Sequence, residues 1–373
     1  METAFGGVFR GMPVLITGHT GFKGSWLGIW LNELGAKVVG YSLDPPTVPS
    51  NFVVSRLDRR VVDVRDDVRR LEALCEVIEQ YKPEAIFHLA AQPIVRESYV
   101  IPKDTFDVNS GGTINVLEAV RLTSSVRVVV CITTDKCYEN QEWVWGYREI
   151  DRLGGHDPYS ASKAMAELAI SAYRQSFFPV DKYREHGTAV ASARAGNVIG
   201  GGDWGKDRLV PDSIRALAKG QAIPVRNPNS VRPWQFVLEP LSGYLWLAAK
   251  LRRDGGEFAG AWNFGPPDRL AINVRELVES LIQLWGAGSW EDISSDQEPH
   301  ETGLLSLNWE KAANVLGWQP TYTWQEALTE TVAWFKEYYG SGSDTDMYDT
   351  CVEQIRRYVD RARGLGRSWA CEL

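Results

Sequence analysis

Pro13-Val-Leu-Ile-Thr-Gly-His-Thr-Gly-Phe-Lys-Gly24 is a five-residue apolar run followed by three glycines set three apart. The run PVLIT has the composition of a buried strand. From Gly24 to Leu34 the sequence is helical in pattern, and Gly35 ends it. Glycine allows left-handed backbone and lets N–H groups approach an anion at a helix start. The order strand, glycine loop, helix predicts a dinucleotide site in which Gly18, Thr20, Gly21, Phe22, Lys23 and Gly24 meet a pyrophosphate. A tight turn without a ligand is the competing reading of the same glycines.

Moving outward, short apolar runs alternate with helical patterns. Strands are expected at Lys37–Ser42, Arg60–Val64, Ala85–Leu89, Arg127–Thr133 and Thr188–Ala193. Helices are expected at Val68–Tyr81, Asn109–Leu122 and Pro158–Phe178. This alternation predicts an α/β chain with a Rossmann-type, doubly wound parallel sheet. After Asn197 the texture changes to glycine-rich loop and scattered helices, which predicts a smaller C-terminal α/β substrate lobe. The expected division is 12–197 with 231–266 for the dinucleotide-binding domain, and 198–230 with 267–340 for the lobe. Residues 341–373 are expected as a linker, a helix and a frayed tail.

Composition bounds the function. The chain has 373 residues, 44% hydrophobic and 24% charged, as in an ordinary globular protein. Its net charge of −8 makes nucleic-acid binding a poor reading. The five cysteines show no CxxC pair, which argues against a disulfide framework or a metal site and fits a reducing compartment, the cytoplasm. No secretory signal and no membrane span is read in the chain.

Asp44 lies 20 residues beyond Gly24, after the second strand. A carboxylate there can accept both hydroxyls of an adenosine ribose and would repel a 2′-phosphate, so NAD is favoured over NADP. Asp63 ends the third strand and is a candidate for the adenine amino group. Tyr159-Ser-Ala-Ser-Lys163 sets a phenol and an ammonium one helical turn apart. A nearby ammonium favours the phenolate, which can take a proton from an alcohol. Thr133-Thr-Asp-Lys-Cys137 follows the fifth strand, at the edge where open α/β sheets bind ligands. Thr134 can hydrogen-bond a reacting oxygen. Asp135 and Lys136 add an acid/base pair that one hydride transfer does not need.

These motifs resemble the extended short-chain dehydrogenase/reductase family of nucleotide-sugar enzymes. TGHTGFKG, HLAAQ (His88–Gln92), YSASK and ARAGNVIGGGD (Ala193–Asp203) fall in that family's order, and LNWEKAANVLGWQP (Leu307–Pro320) is similar to its C-terminal signature. Within the family, TTDKCYEN, GGGDWGKDRLVPD, VRPWQFVLEPLSGYL and DQEPHETGLL resemble the branch of CDP-glucose 4,6-dehydratases. Phe236 stands where that likeness has a histidine.

The resemblance implies NAD as cofactor, with Val64, Leu89, Ala90, Ala91, Thr133, Tyr159 and Lys163 joining the glycine loop around it. It implies CDP-glucose as substrate, with Gln92, Asn197, Arg208, Arg232 and His300 holding the nucleotide sugar. Tyr159 would remove the C4 hydroxyl proton while hydride passes to NAD, Lys163 would favour the phenolate, and Thr134 would orient O4. Water would then leave across C5–C6 and the hydride return to C6. Asp135 is the candidate acid and Lys136 stands where relatives place the base; their division of labour stays open. Other readings are a different sugar-nucleotide dehydratase, a 4-epimerase, or a non-catalytic NAD sensor. The resemblance also implies a homodimer or homotetramer paired through the helices at Asn109–Leu122 and Pro158–Phe178.

Overall fold

The computed structural model describes residues 3–267, 272–294, 304–342 and 345–371. Among them one sheet has seven strands: β1 (Pro13–Thr17), β2 (Lys37–Ser42), β3 (Val62–Arg65), β4 (Ala85–His88), β5 (Val128–Ile132), β6 (Ala189–Ala195) and β7 (Gly260–Phe264). Their order is β7-β6-β5-β4-β1-β2-β3, and every pairing is parallel. The longer helices are α1 (Phe22–Glu33), α2 (Leu71–Tyr81), α3 (Gly112–Leu122), α4 (Pro158–Ser176), α5 (Leu209–Ala218), α6 (Leu238–Asp254), α7 (Val274–Trp285), α8 (Trp324–Gly340) and α9 (Tyr348–Gly364).

Strand periodicity divides the core in two. Val14 and Ile16 face one cluster while Leu15 faces the other; Val128, Val130 and Ile132 alternate likewise with Val129 and Cys131. On one face α2, α3 and α4 supply Leu74, Ile78, Leu117 and Ile170. On the other, α1, α6, α8 and α9 supply Trp26, Trp30, Trp246, Trp334 and Tyr358. A sheet covered on both faces needs continuous apolar strands, which is what β1, β4 and β5 supply at its centre.

Strand β7 is the element the sequence reading did not single out. Its GAWNF lacks a β-branched run and acquires strand geometry by pairing with β6. The helix expected from Asn109 is preceded by a turn at Pro102–Phe106 and widens to a π-helical turn at Asp107–Gly111 before α3. Beyond β6 come two-residue pairings, Val198–Ile199 with Gln235–Phe236 and Val231–Arg232 with Ile272–Asn273. A further short pair joins Ile223–Val225 to Trp290–Asp292.

The frayed tail is corrected by the structure. Trp369 is fully buried, stacked on Phe5 at 5.1 Å and on Tyr358 at 5.7 Å. Burying an indole and two further rings overcomes the polar character of the surrounding residues. Phe236 also finds its explanation here. It is wholly buried between Trp26, Tyr322 and Tyr358, so it is a core residue and reaches no nucleotide.

Candidate active site

Strands β1 and β4 are neighbours although β2 follows β1 in the chain, so the crevice of the sheet opens at their carboxyl ends. There Gly18 has φ 77°, and a Cβ on it would lie 2.7 Å from Ala90 N. A Cβ on Gly24 would lie 2.1 Å from Gly18 O. The loop is therefore pressed against the turn after β4, with Leu89, Ala90 and Ala91 half-buried beside it. Helix α1 begins at an N-cap glycine, Gly21, with no side-chain cap. Its first-turn N–H groups are thus left for a ligand oxygen.

Asp44 stands 94% exposed just past β2, open to a ribose. Together the cradle, the uncapped helix start and this carboxylate fit a dinucleotide. Thr20 has a different use: its hydroxyl pairs with Ser42 Oγ at 2.8 Å and donates to Leu43 O, tying the loop to β2. Asp63 is engaged at both oxygens, by His19 Nε2 at 2.8 Å and Arg65 at 2.7 Å. Val64, next on β3, is half-buried.

Helix α4 carries the expected proton-transfer pair. Asp157 caps it by accepting from Ser160 N, and Pro158 opens the first turn. Tyr159 and Lys163 fall on one face, 8% and 5% exposed. Lys163 Nζ donates to Ile132 O at 3.4 Å, at the end of β5. Burial lowers its pKa to about 8, against the charge of Glu167. Burial pushes the Tyr159 phenol up to about 12; a hydrogen bond with Thr134 and the Arg208 charge act in the other direction and are outweighed. Among the charges around the phenol, Asp135 raises its proton affinity and Arg208 lowers it.

After β5 the chain makes a 3-10 turn at Asp135–Cys137, with Thr134 as N-cap. Thr134 Oγ1 donates to Asp135 Oδ1 at 2.9 Å, and Lys136 Nζ donates to the same oxygen at 3.1 Å. Asp135 is buried, and a Cβ on Gly196 would come within 2.9 Å of its Oδ2. Thr133 turns inward and donates to Glu167 Oε1 at 2.5 Å. Glu167 also accepts from Ser192 Oγ at 2.8 Å and pairs with Arg194 at 2.7 Å, both ionic side chains being 3% exposed. This buried pair bolts the Thr133–Asp135 turn and β6 to the helix that carries Tyr159. Sequence reasoning did not find Glu167, although its place one turn after Lys163 puts it on the same helical face.

Lys23 joins this centre from the glycine loop. Its ammonium lies among Lys163, Arg208 and Lys136, and burial with these like charges lowers its pKa to about 7, opposed by Asp135. Arg208 pairs with Asp203 at 2.9 Å. Among the sugar-side candidates, Asn197 sits half-buried just beyond β6. Gln92 is committed within the chain: Nε2 donates to Ile94 O and Thr105 Oγ1, and Oε1 accepts from Ile94 N. Arg232 lies on a two-residue strand and donates to Val231 O at 2.9 Å. His300 lies outside the described residues.

No helix of the described residues is long and apolar enough to cross a membrane. Among them no three His, Cys, Asp or Glu side chains gather as a metal site.

Comparison with known proteins agrees with this geometry. A CDP-glucose 4,6-dehydratase from Salmonella typhimurium is 50% identical over 328 residues, covering 88% of this chain and 91% of the relative. A dTDP-glucose 4,6-dehydratase from Actinoplanes is 28% identical over 346 residues, covering 87% and 98%. Among solved structures, the dTDP-glucose 4,6-dehydratase DesIV from Streptomyces venezuelae, with NAD and TYD bound, superposes with a TM-score of 0.73 at 25% identity, covering 89% of this chain and 99% of that one. The sequence pattern of the NAD dependent epimerase/dehydratase family matches residues 14–265, and the chain belongs to that family.

Proposed function

We propose that the chain dehydrates CDP-glucose to CDP-4-dehydro-6-deoxy-glucose. The observation that carries this reading is the Asp135–Lys136 pair, held by a hydrogen bond beside Thr134 and Tyr159. Epimerisation at C4 needs only the phenol, the hydroxyl and the lysine; a second acid and base answer the need to remove water. The 50% identity to a CDP-glucose 4,6-dehydratase supports the cytidine nucleotide.

Bound NAD would supply a hydride acceptor for C4 and the donor for C6. The protein's part is proton transfer and positioning. Tyr159 takes the O4 proton, and Thr134 fixes O4 by hydrogen bonding. The resulting C4 ketone acidifies C5–H, which Lys136 removes, while Asp135 protonates the departing C6 hydroxyl. Lys136 then returns its proton to C5. Gly18, Gly21, Phe22, Lys23 and Gly24 hold the pyrophosphate, Asp44 the ribose, and Arg208, Asn197 and Arg232 the nucleotide sugar.

The test is incubation with CDP-, UDP-, dTDP- and GDP-glucose, followed by mass and carbonyl analysis. The expected product has lost one water, carries a ketone, forms only from CDP-glucose at a useful rate, and leaves no net reduced cofactor. An isomer of unchanged mass would instead mean epimerisation.

A homodimer or homotetramer is part of the proposal. Ile114, Leu122, Met165 and Leu168 are each at least 40% exposed on α3 and α4. An apolar face of that kind favours a second copy. A monomer in sedimentation at micromolar concentration would contradict it. The five unpaired cysteines favour the cytoplasm.

A further inference from the structure

We propose that the Asp207–Arg226 ion pair reads the edge of the cytosine ring and so selects cytidine over uridine nucleotides; the inference deepens the reading above and rests on it. Arg226 Nη2 donates to Asp207 Oδ1 at 3.1 Å. Each side chain is 37% exposed. Among the described residues neither side chain has another hydrogen-bond or ion-pair partner. Asp207 Oδ2 and the remaining N–H groups of Arg226 are therefore open to a ligand. The pair sets a free acceptor beside free donors.

The pair belongs to the two segments assigned to the nucleotide sugar. Asp207 is the residue before Arg208, and Arg226 follows the short strand Ile223–Val225. From Arg226 a tight turn, closed by Ser230 N to Asn227 O at 3.2 Å, leads to Val231–Arg232. A diphosphate gripped by Arg208 and Arg232 has its sugar at Tyr159. That leaves the nucleoside to the outer part of the same two segments, where the pair is. The loop that presents Asp207 is firmly pinned. Gly205 N and Arg208 Nη1 hold the two oxygens of Asp203, each at 2.9 Å, and Arg215 donates to Trp204 O and Gly205 O. Asp207 itself has φ 59°, a left-handed backbone that few residues besides glycine, asparagine and aspartate take. Such backbone persists where the surroundings fix it, and it concentrates at ligand sites.

The two pyrimidines differ in what they present to such a pair. Cytosine carries an amino donor beside the ring acceptor N3. Uracil carries the acceptor O4 beside the donor N3–H. An open oxygen on Asp207 next to an N–H of Arg226 matches cytosine at both positions. Against uracil the carboxylate meets O4 and the guanidinium meets N3–H, so both bonds are lost and like groups face each other. Polar groups covered without a partner cost more than a made bond contributes. With the ribose and diphosphate held by the arginines, the ring has no freedom to slide to a better register.

Asp207→Asn is the sharpest probe. Its amide oxygen can keep the bond from Arg226, and its NH2 then replaces Oδ2. A donor would thus face the cytosine amino group and would suit O4 of uracil. Asparagine also tolerates left-handed backbone, so the loop is kept. The ratio of kcat/KM for CDP-glucose to that for UDP-glucose should fall by about 10–100-fold, the span of one two-point base contact. The loss for CDP-glucose should lie in KM, because the base is remote from the reacting carbons. Arg226→Gln, whose amide can face either N3 or N3–H, should move the ratio the same way. Calorimetry of the NAD-loaded protein with CDP and with UDP reads the same preference without turnover.

An unchanged ratio in both variants, with the two substrates slowed alike or not at all, would overturn the assignment and leave a surface ion pair. So would a wild type that binds CDP and UDP equally. A wild type that prefers CDP, loses that preference in the variants and yet releases no water from CDP-glucose would uphold the base contact and remove the dehydration.

Discussion

Asp135 owes its place to a residue without a side chain. Thr134 and Lys136 hold one carboxylate oxygen, and the other fits against Gly196 just past β6. A methyl group at 196 would meet that oxygen at 2.9 Å, closer than such atoms approach, so the carboxylate must move. Gly196→Ala is expected to leave C4 oxidation intact and to impair protonation of the C6 hydroxyl. Steady turnover should fall by about 10²–10⁴-fold, the usual span for a misplaced acid. Reduced-nicotinamide absorbance should build up during the reaction, where the wild type shows none. Unchanged turnover would mean that Asp135 is not the acid. At this scale the sequence was partly legible. Tyr159 and Lys163 could be paired because one helical turn separates them, and Thr134–Lys136 because they end a strand. The contacts of Gly196 and Arg208 could not be read, because each crosses between elements far apart in the chain. The phenol shows the same limit: its proton affinity is raised chiefly by burial, which YSASK does not show.

The elements tell a similar story about local and distant information. Strands β1, β2, β4 and β5 were readable because apolar runs are a local pattern. Strand β7 and the end of the chain were not, because both take their form from partners elsewhere. Helix α9 packs against α1, the helix that starts at the phosphate loop, through Tyr348 with Asn32 and Glu33. Trp369 then closes over Phe5, Trp30 and Tyr358. The two chain ends thus share one aromatic cluster on the outer side of α1. Trp369→Ala would leave a hole the size of an indole in that cluster. The cost expected for such a truncation is about 3–5 kcal/mol, and urea unfolding measures it. A loss below about 1 kcal/mol would mean that the tail is only loosely applied.

At the scale of the whole molecule, one buried carboxyl ties three parts together. Glu239, in the first turn of α6, accepts from the backbone N–H groups of Thr321 and Tyr322 and from the Tyr358 hydroxyl. It therefore joins α6 to the segment before α8 and to α9. Burial outweighs these three donors and the more distant Arg367 charge, and raises its pKa from 4.5 to about 7. Between those values the folded chain binds more protons at this site than the unfolded chain. Stability at this site is thus complete below pH 4.5, declines as pH rises toward 7, and is level above it, with a slope of at most about 1.4 kcal/mol per pH unit. His88 works the other way. Buried between Thr17 and Thr113, its pKa is lowered to about 3 from 6.5, so its contribution is lost as pH falls through that interval. The two slopes oppose each other between pH 4.5 and 6.5, and the wild-type profile alone would hide both. Glu239→Gln removes one and leaves His88 untouched. The difference in unfolding free energy, wild type minus variant, should therefore fall steadily from pH 5 to 7 in urea titrations. A constant difference across that range would mean that Glu239 is ionised throughout, and that its three donors outweigh its burial.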